Sequence, residues 1–458
     1  MMAGVLGARS RSEKALVARV SALILAISAC VACAASGPAP RSASVGTSSP
    51  PSPSSTEIEI ELVESAPVET TLDHADVRDA AEVWPEMIDR ARRTLDFAQF
   101  YASDAEGEAA ATSRLGPVLA AIERAVARGV RVRFLADAIF APKYPATLER
   151  LRKSGVEVKT IDCAPRYGGV QHAKYFVVDG EEAFVGSQNF DWRALAHIQE
   201  MGVRVRSRAI AAALLDVLET DWALADGGAS NAAAPPKAHR EPPDAKTSTG
   251  ESIALLASPR GWLPDESRWD LPRIVALLDD AKRSVSLQVL VYSTQNRDKT
   301  SFTTLDEALR RAAARGVRVR LLVSHWGANA GSHARASVES LASVPGVEVK
   351  VLTIPPWSGG EIPFARVAHA KYLVVDDRAA WIGTSNWEGD YFLESRNVGI
   401  VAEGGALAPR LARVFEDGWT SRHAAALPAP GRAPRVQRHG AQPSTHRGTR
   451  CSSPGRQH

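Results

Sequence analysis

The chain has 458 residues, 45% hydrophobic and 23% charged. That is enough for about two to three domains with a substantial buried core, and it excludes a wholly disordered or multi-spanning membrane protein. The formal net charge is +3, but both ends are basic: residues 1–55 hold five bases and one acid, 431–458 hold six arginines and no acid, and 56–430 carry 44 bases against 51 acids, a net −7. Such a body argues against a globally basic nucleic-acid platform. Cys30, Cys33, Cys163 and Cys451 are too few and too scattered for a disulfide framework or a zinc cluster.

Arg9, Arg11, Lys14 and Arg19 precede the uncharged run VSALILAISA at 20–29. The run is about half the ~20 residues that span a bilayer, so residues 1–30 read as an export signal. Ile27-Ser28-Ala29-Cys30 resembles the bacterial lipobox, which would make Cys30 a lipidated N-terminus; Cys33 is a second possible site. The expectation is an exported lipoprotein of the cell envelope, with the membrane as a partner through this anchor. Residues 31–55, rich in proline and serine, read as a tether, and 429–458 as a disordered basic tail.

Between these ends the chain repeats itself. ARRTLDFAQFYAS (91–103) matches AKRSVSLQVLVYS (281–293), AIERAVARGVRVRFL (121–135) matches ALRRAAARGVRVRLL (308–322), and GVEVK recurs at 155–159 and 346–350. VQHAKYFVVDGEEAFVGSQN (170–189) matches VAHAKYLVVDDRAAWIGTSN (367–386). Short β-rich runs alternate with helical segments that end at a glycine, as in LGPVLAAIERAVARG. The fold class is therefore α/β: two similar sandwich lobes, 56–225 and 251–428, joined by a Gly/Ala/Pro-rich linker at 226–250.

Each lobe carries His-x-Lys-x4-Asp, six residues, then Gly-(Ser/Thr)-x-Asn. The first copy is His172, Lys174, Asp179, Gly186, Ser187, Asn189; the second is His369, Lys371, Asp376, Gly383, Thr384, Asn386. In an extended strand His172 and Lys174 share a face, as do His369 and Lys371, so each lobe offers an imidazole beside an ammonium. Asp179 and Asp376, an odd seven residues on, belong to the opposite face and read as framework. No carboxylate cluster has metal-ligand spacing, so no metal and no cofactor is expected. The inventory suits attack on a phosphodiester by one neutral histidine while the other, protonated, donates to the leaving oxygen.

The duplicated motif resembles the signature of the phospholipase D superfamily. GSQNFDWRAL (186–195), IPFARVAHAKY (362–372) and GTSNWEGDYFLES (383–395) are closest to the branch of animal lysosomal phospholipase D-like 5′-exonucleases and poxvirus envelope phospholipase-like proteins. The resemblance implies two lobes sharing one active site, a covalent phosphohistidine on His172, and His369 as acid/base; sequence alone permits the reverse. It also places the partners that orient the histidines at Glu200 and Glu394. Ser187, Asn189, Thr384 and Asn386 would supply phosphate or framework hydrogen bonds. His197, His325 and the Asp191-Trp192-Arg193 run read as packing. The substrate is a phospholipid, slightly favoured, or the 5′ end of a single-stranded nucleic acid; a non-catalytic envelope protein is a third reading. No obligate protein partner is evident.

Overall fold

The computed structural model describes residues 58–225, 244–247 and 250–427. The export signal with Cys30, the tether, most of the linker and the tail lie outside the described residues.

Two mixed sheets are built on one plan. In the first lobe the strand order is Arg78–Asp79, Glu59–Ser65, Glu200–Arg206, Glu182–Gly186, Tyr175–Val178, Thr94–Gln99, Arg131–Asp137, Glu157–Ile161. In the second it is Asp244–Lys246, Ser252–Ser258, Asn397–Glu403, Ala379–Gly383, Tyr372–Val375, Ser284–Val289, Arg318–Ser324, Val347–Leu352, Ala424–Ala426. The strand Asp244–Lys246 corrects the linker boundary, because these residues pair with Ser252–Ser258 as an edge strand. In each lobe three strands run parallel, as the βα alternation requires, and the motif strand joins them antiparallel. The helices Gly116–Ala127 and Thr304–Ala314 stop just before Gly129 and Gly316, whose φ values of 87° and 84° reverse the chain.

Alternation within the strands builds the core. Phe176 and Val178 face a cluster with the first lobe's own helices, around Trp84, Phe97 and Ile122. Tyr175 and Val177, on the other face, enter a cluster that also contains Tyr372 and Val374 of the second lobe. The helices Arg208–Leu224 and Leu407–Thr420 contribute Leu214, Leu218, Leu411 and Phe415 to the same cluster. Each sheet thus has helices on both faces, and the face carrying Arg208–Leu224 or Leu407–Thr420 shares its core with the opposite lobe.

Candidate active site

The two motif segments meet where each lobe completes the other's backbone. Residues 172–174 precede the strand Tyr175–Val178 instead of lying inside it: residues 170–172 pair with the other lobe, and the chain rejoins its own sheet where the Lys174 carbonyl accepts the Gly186 amide (3.2 Å). The His172 amide donates to the Arg396 carbonyl (2.9 Å), and the Arg396 amide to the Val170 carbonyl (3.0 Å). On the other side the His369 amide donates to the Gln199 carbonyl (2.8 Å), and the Gln199 amide to the Val367 carbonyl (3.0 Å). Each histidine is positioned by the lobe that does not contain it.

The side chains repeat this exchange. His369 Nδ1 lies 2.8 and 2.9 Å from the two carboxylate oxygens of Glu200, which is fully buried. Ser187 Oγ donates to Glu200 Oε2 (2.5 Å). His172 Nδ1 lies 2.9 Å from Asn397 Oδ1, which also accepts from Thr384 Oγ1 (2.8 Å). Asn397 Nδ2 donates to the Tyr391 carbonyl (2.7 Å), so Oδ1 must face the ring, and His172 must carry its proton on Nδ1. Its Nε2 is left as a lone pair. Glu394 is corrected here: it is exposed, and Asn397 holds the place proposed for it. The repeat offset of 197 that relates the two motifs maps Glu200 onto Asn397, whereas Glu394 stands three residues short; keeping that register would have found Asn397.

The lysines are almost wholly buried, and each ammonium donates to the carbonyl of its own motif histidine, Lys174 to His172 (2.5 Å) and Lys371 to His369 (2.6 Å). Burial drives the Lys371 ammonium down to about 7, against the pull of Glu200, and burial with the nearby Lys371 also drives Lys174 well down from the ordinary ammonium range. Burial likewise pushes the Glu200 carboxyl up to about 8, against Lys371, Ser187 and Lys174. Both histidines are held well below the ordinary imidazole range, first by burial and then by the two lysines. The two histidines, the two lysines and Glu200 thus gather about one small volume, and the histidine and lysine nitrogens suit it to a phosphate oxyanion, whose charge would favour their protonated forms.

The remaining candidates sort by position. Asp179 and Asp376 point away from the pocket; each carboxylate accepts three backbone amides, Arg92, Arg93 and Thr94 in one lobe and Lys282, Arg283 and Ser284 in the other, at 2.7–2.9 Å. Ser187 and Thr384 are fully buried and orient Glu200 and Asn397. Asn189 and Asn386 each keep a buried Oδ1 without a partner, so neither is spent on the framework alone. Asp191 accepts from Arg193 Nε (3.0 Å) and from the Tyr101 hydroxyl (2.8 Å), and the His197 ring packs edge-on against Trp192 and Trp357. Among the described residues no three His, Cys, Asp or Glu side chains are grouped to hold a metal, and no helix is long and apolar enough to cross a membrane.

Two cross-lobe histidine–lysine pairs in a duplicated α/β fold define a phospholipase D-type site. The family model for the cardiolipin synthase, PLD-like domain matches residues 85–222 and 274–419, and the chain belongs to this family. It is 31% identical over 399 residues to the 5'-3' exonuclease PLD3 of Bos taurus, covering 81% of both chains. It is also 31% identical over 392 residues to "Probable phospholipase D F09G2.8" of Caenorhabditis elegans, covering 79% of this chain and 69% of that one. The fold is shared with the phosphatidylserine synthase of Haemophilus influenzae (TM-score 0.53, 13% identity, 76% of this chain and 85% of that one). The protein is a phosphodiesterase of the phospholipase D type.

Proposed function

We propose that the protein is an exonuclease that degrades single-stranded nucleic acid from its 5′ end through a phosphohistidine. The observation that carries this reading over a phospholipid substrate is the 31% identity, across four fifths of both chains, to a relative named as a 5'-3' exonuclease.

The chemistry follows from the unequal partners of the two histidines. His172, held by a neutral amide with its proton on Nδ1, presents the Nε2 lone pair to phosphorus. His369 Nδ1 is hydrogen-bonded to Glu200, a titratable partner that can exchange a proton with the ring, which suits His369 to deliver and recover a proton at Nε2. As the His172 Nε2–P bond forms, the P–O bond to the departing strand breaks and His369 gives its proton to that oxygen. Water then loses a proton to His369 and attacks phosphorus, breaking the P–N bond and restoring both rings. Lys174 and Lys371 stabilise the charge that gathers on the equatorial oxygens, and removing such a donor typically costs about 10²–10³-fold in rate.

Side-by-side assays with a 5′-hydroxyl oligonucleotide and with phosphatidylcholine test the substrate. Stepwise loss of nucleotides from the 5′ end is expected. Choline release without nucleotide release would replace this reading with a phospholipase.

A further inference from the structure

The two lobes follow one plan around the site, so a departure from that plan marks where a substrate is distinguished. The strand Thr94–Gln99 runs out into Phe100 and Tyr101, where the equivalent strand Ser284–Val289 runs into Leu290 and Val291. Arg131–Asp137 leads to Ile139 and Phe140, where Arg318–Ser324 leads to Trp326 and Gly327. The first lobe alone therefore sets a continuous group of rings beside its motif histidine.

These rings touch one another and the site. The Phe100 centroid lies 4.9 Å from the His172 ring and 4.1 Å from Phe140; Tyr101 stacks on Tyr144 at 4.9 Å and 28°, and on Phe140 at 6.2 Å. All four are half-buried, and they stand outside the hydrophobic core clusters that organise the lobes. Cations ride on the group: Lys143 Nζ lies 3.8 Å from the Phe140 centroid and the Arg193 guanidinium 5.6 Å from that of Tyr144. The loop is rigidly placed. One oxygen of the buried Asp137 carboxylate accepts from the Ile139 and Phe140 amides (2.9 and 3.1 Å), and the other from the amide of Gln171 (2.9 Å), the residue before His172.

We propose that Phe100, Tyr101, Phe140 and Tyr144 form a stacking shelf for the base of the nucleotide that stays attached to His172 while the rest of the strand leaves. The inference rests on the nuclease reading above and names the side of the site that reads the retained nucleotide. Flat aromatic faces bearing cations match a base with its phosphate neighbour, since every base offers a π-face and the shelf asks for no particular sequence. An acyl chain would find aliphatic walls a better match, whereas the side chains beside His172 in this loop are mainly rings, with Ile139 as an exposed aliphatic neighbour. The carboxylate bridge from the loop to the segment bearing His172 fixes the base and the phosphorus in one frame, which lowers the cost of ordering the substrate.

The test pairs Phe140→Ala with an oligonucleotide whose 5′-terminal nucleotide lacks its base, with thermal melting to confirm that the variant is folded. For the wild type, removing the base should raise KM by roughly tenfold or more. Phe140→Ala should raise KM on the intact strand to a similar extent, and should add little on the abasic one. Phe140→Trp should restore the discrimination between the two substrates. Penalties that multiply independently, or a Phe140→Trp variant as indifferent to the base as Phe140→Ala, would overturn the shelf while leaving the nuclease reading in place. A wild-type protein that degrades no oligonucleotide would remove both.

Discussion

Asn397 and Glu200 break the symmetry of a duplicated site at equivalent places, and that single difference assigns the two histidines their work. Burial first, and then the two lysines, hold His172 well below the ordinary imidazole range, and the hydrogen bond to the neutral Asn397 amide offsets this only in part. Lys371, by contrast, holds its proton only below about 7. The unliganded enzyme is thus best prepared for an anionic phosphodiester on the acid side of neutrality, and kcat/KM should fall as pH rises through about 7, where Lys371 discharges. Asn397→Asp puts a carboxylate behind His172 and raises its affinity for a proton, so the acid limb of the kcat/KM profile should move to higher pH. A profile identical to the wild type would show that Asn397 does not set the state of His172. The motif residues were legible in the sequence because they recur twice at one spacing; Asn397 was not, because asparagine and glutamate look unrelated until the cross-lobe hydrogen bonds show them in the same role.

Among the elements, the turn after each motif strand ties that strand to its neighbour through an aspartate. Asp179 and Asp376 sit at φ 55° and 56°, a left-handed backbone that aspartate tolerates better than most residues, and each caps the start of the neighbouring strand through three amides. The odd spacing from the histidines already separated them from the site, since a strand alternates its faces. Asp376→Ala frees three backbone donors at a partly exposed turn and should cost about 1–3 kcal/mol of stability. Thermal melting should show the loss, while the folded fraction keeps its pH profile. A variant that melts like the wild type would mean the amides find other partners. The expectation that His172 and Lys174 lie inside a strand missed the pairing of residues 170–172 with residue 396, a contact between segments more than 220 residues apart that no local pattern encodes.

Across the whole molecule, the site exists only while the lobes are docked, and one buried ion pair sits at that junction. Arg396 and Asp221 are both fully buried; the guanidinium meets the carboxylate at 2.8–3.1 Å and donates also to the Ser258 and Trp262 carbonyls. The Arg396 carbonyl in turn holds the His172 amide. Asp221→Ala leaves that charge unpaired in the interior and should cost about 3–5 kcal/mol. Activity should fall with it, because the backbone that places His172 loses its anchor; a stable, fully active variant would contradict this coupling. The sequence disclosed the duplication and hence the fold, but the net charge of −7 for residues 56–430 pointed away from nucleic acid. Net charge sums the whole surface, whereas Lys174 and Lys371 come together beside the histidines only in the folded chain.

The division of labour between the histidines can be read directly by trapping the intermediate. His369→Ala, given a nucleotide ester with a p-nitrophenyl leaving group that needs no proton, should release one equivalent of p-nitrophenolate in a burst and retain the phosphoryl nucleotide. Peptide mass mapping should place that adduct on His172, and His172→Ala should give neither burst nor adduct. A burst from His172→Ala with the adduct on His369 would contradict the account.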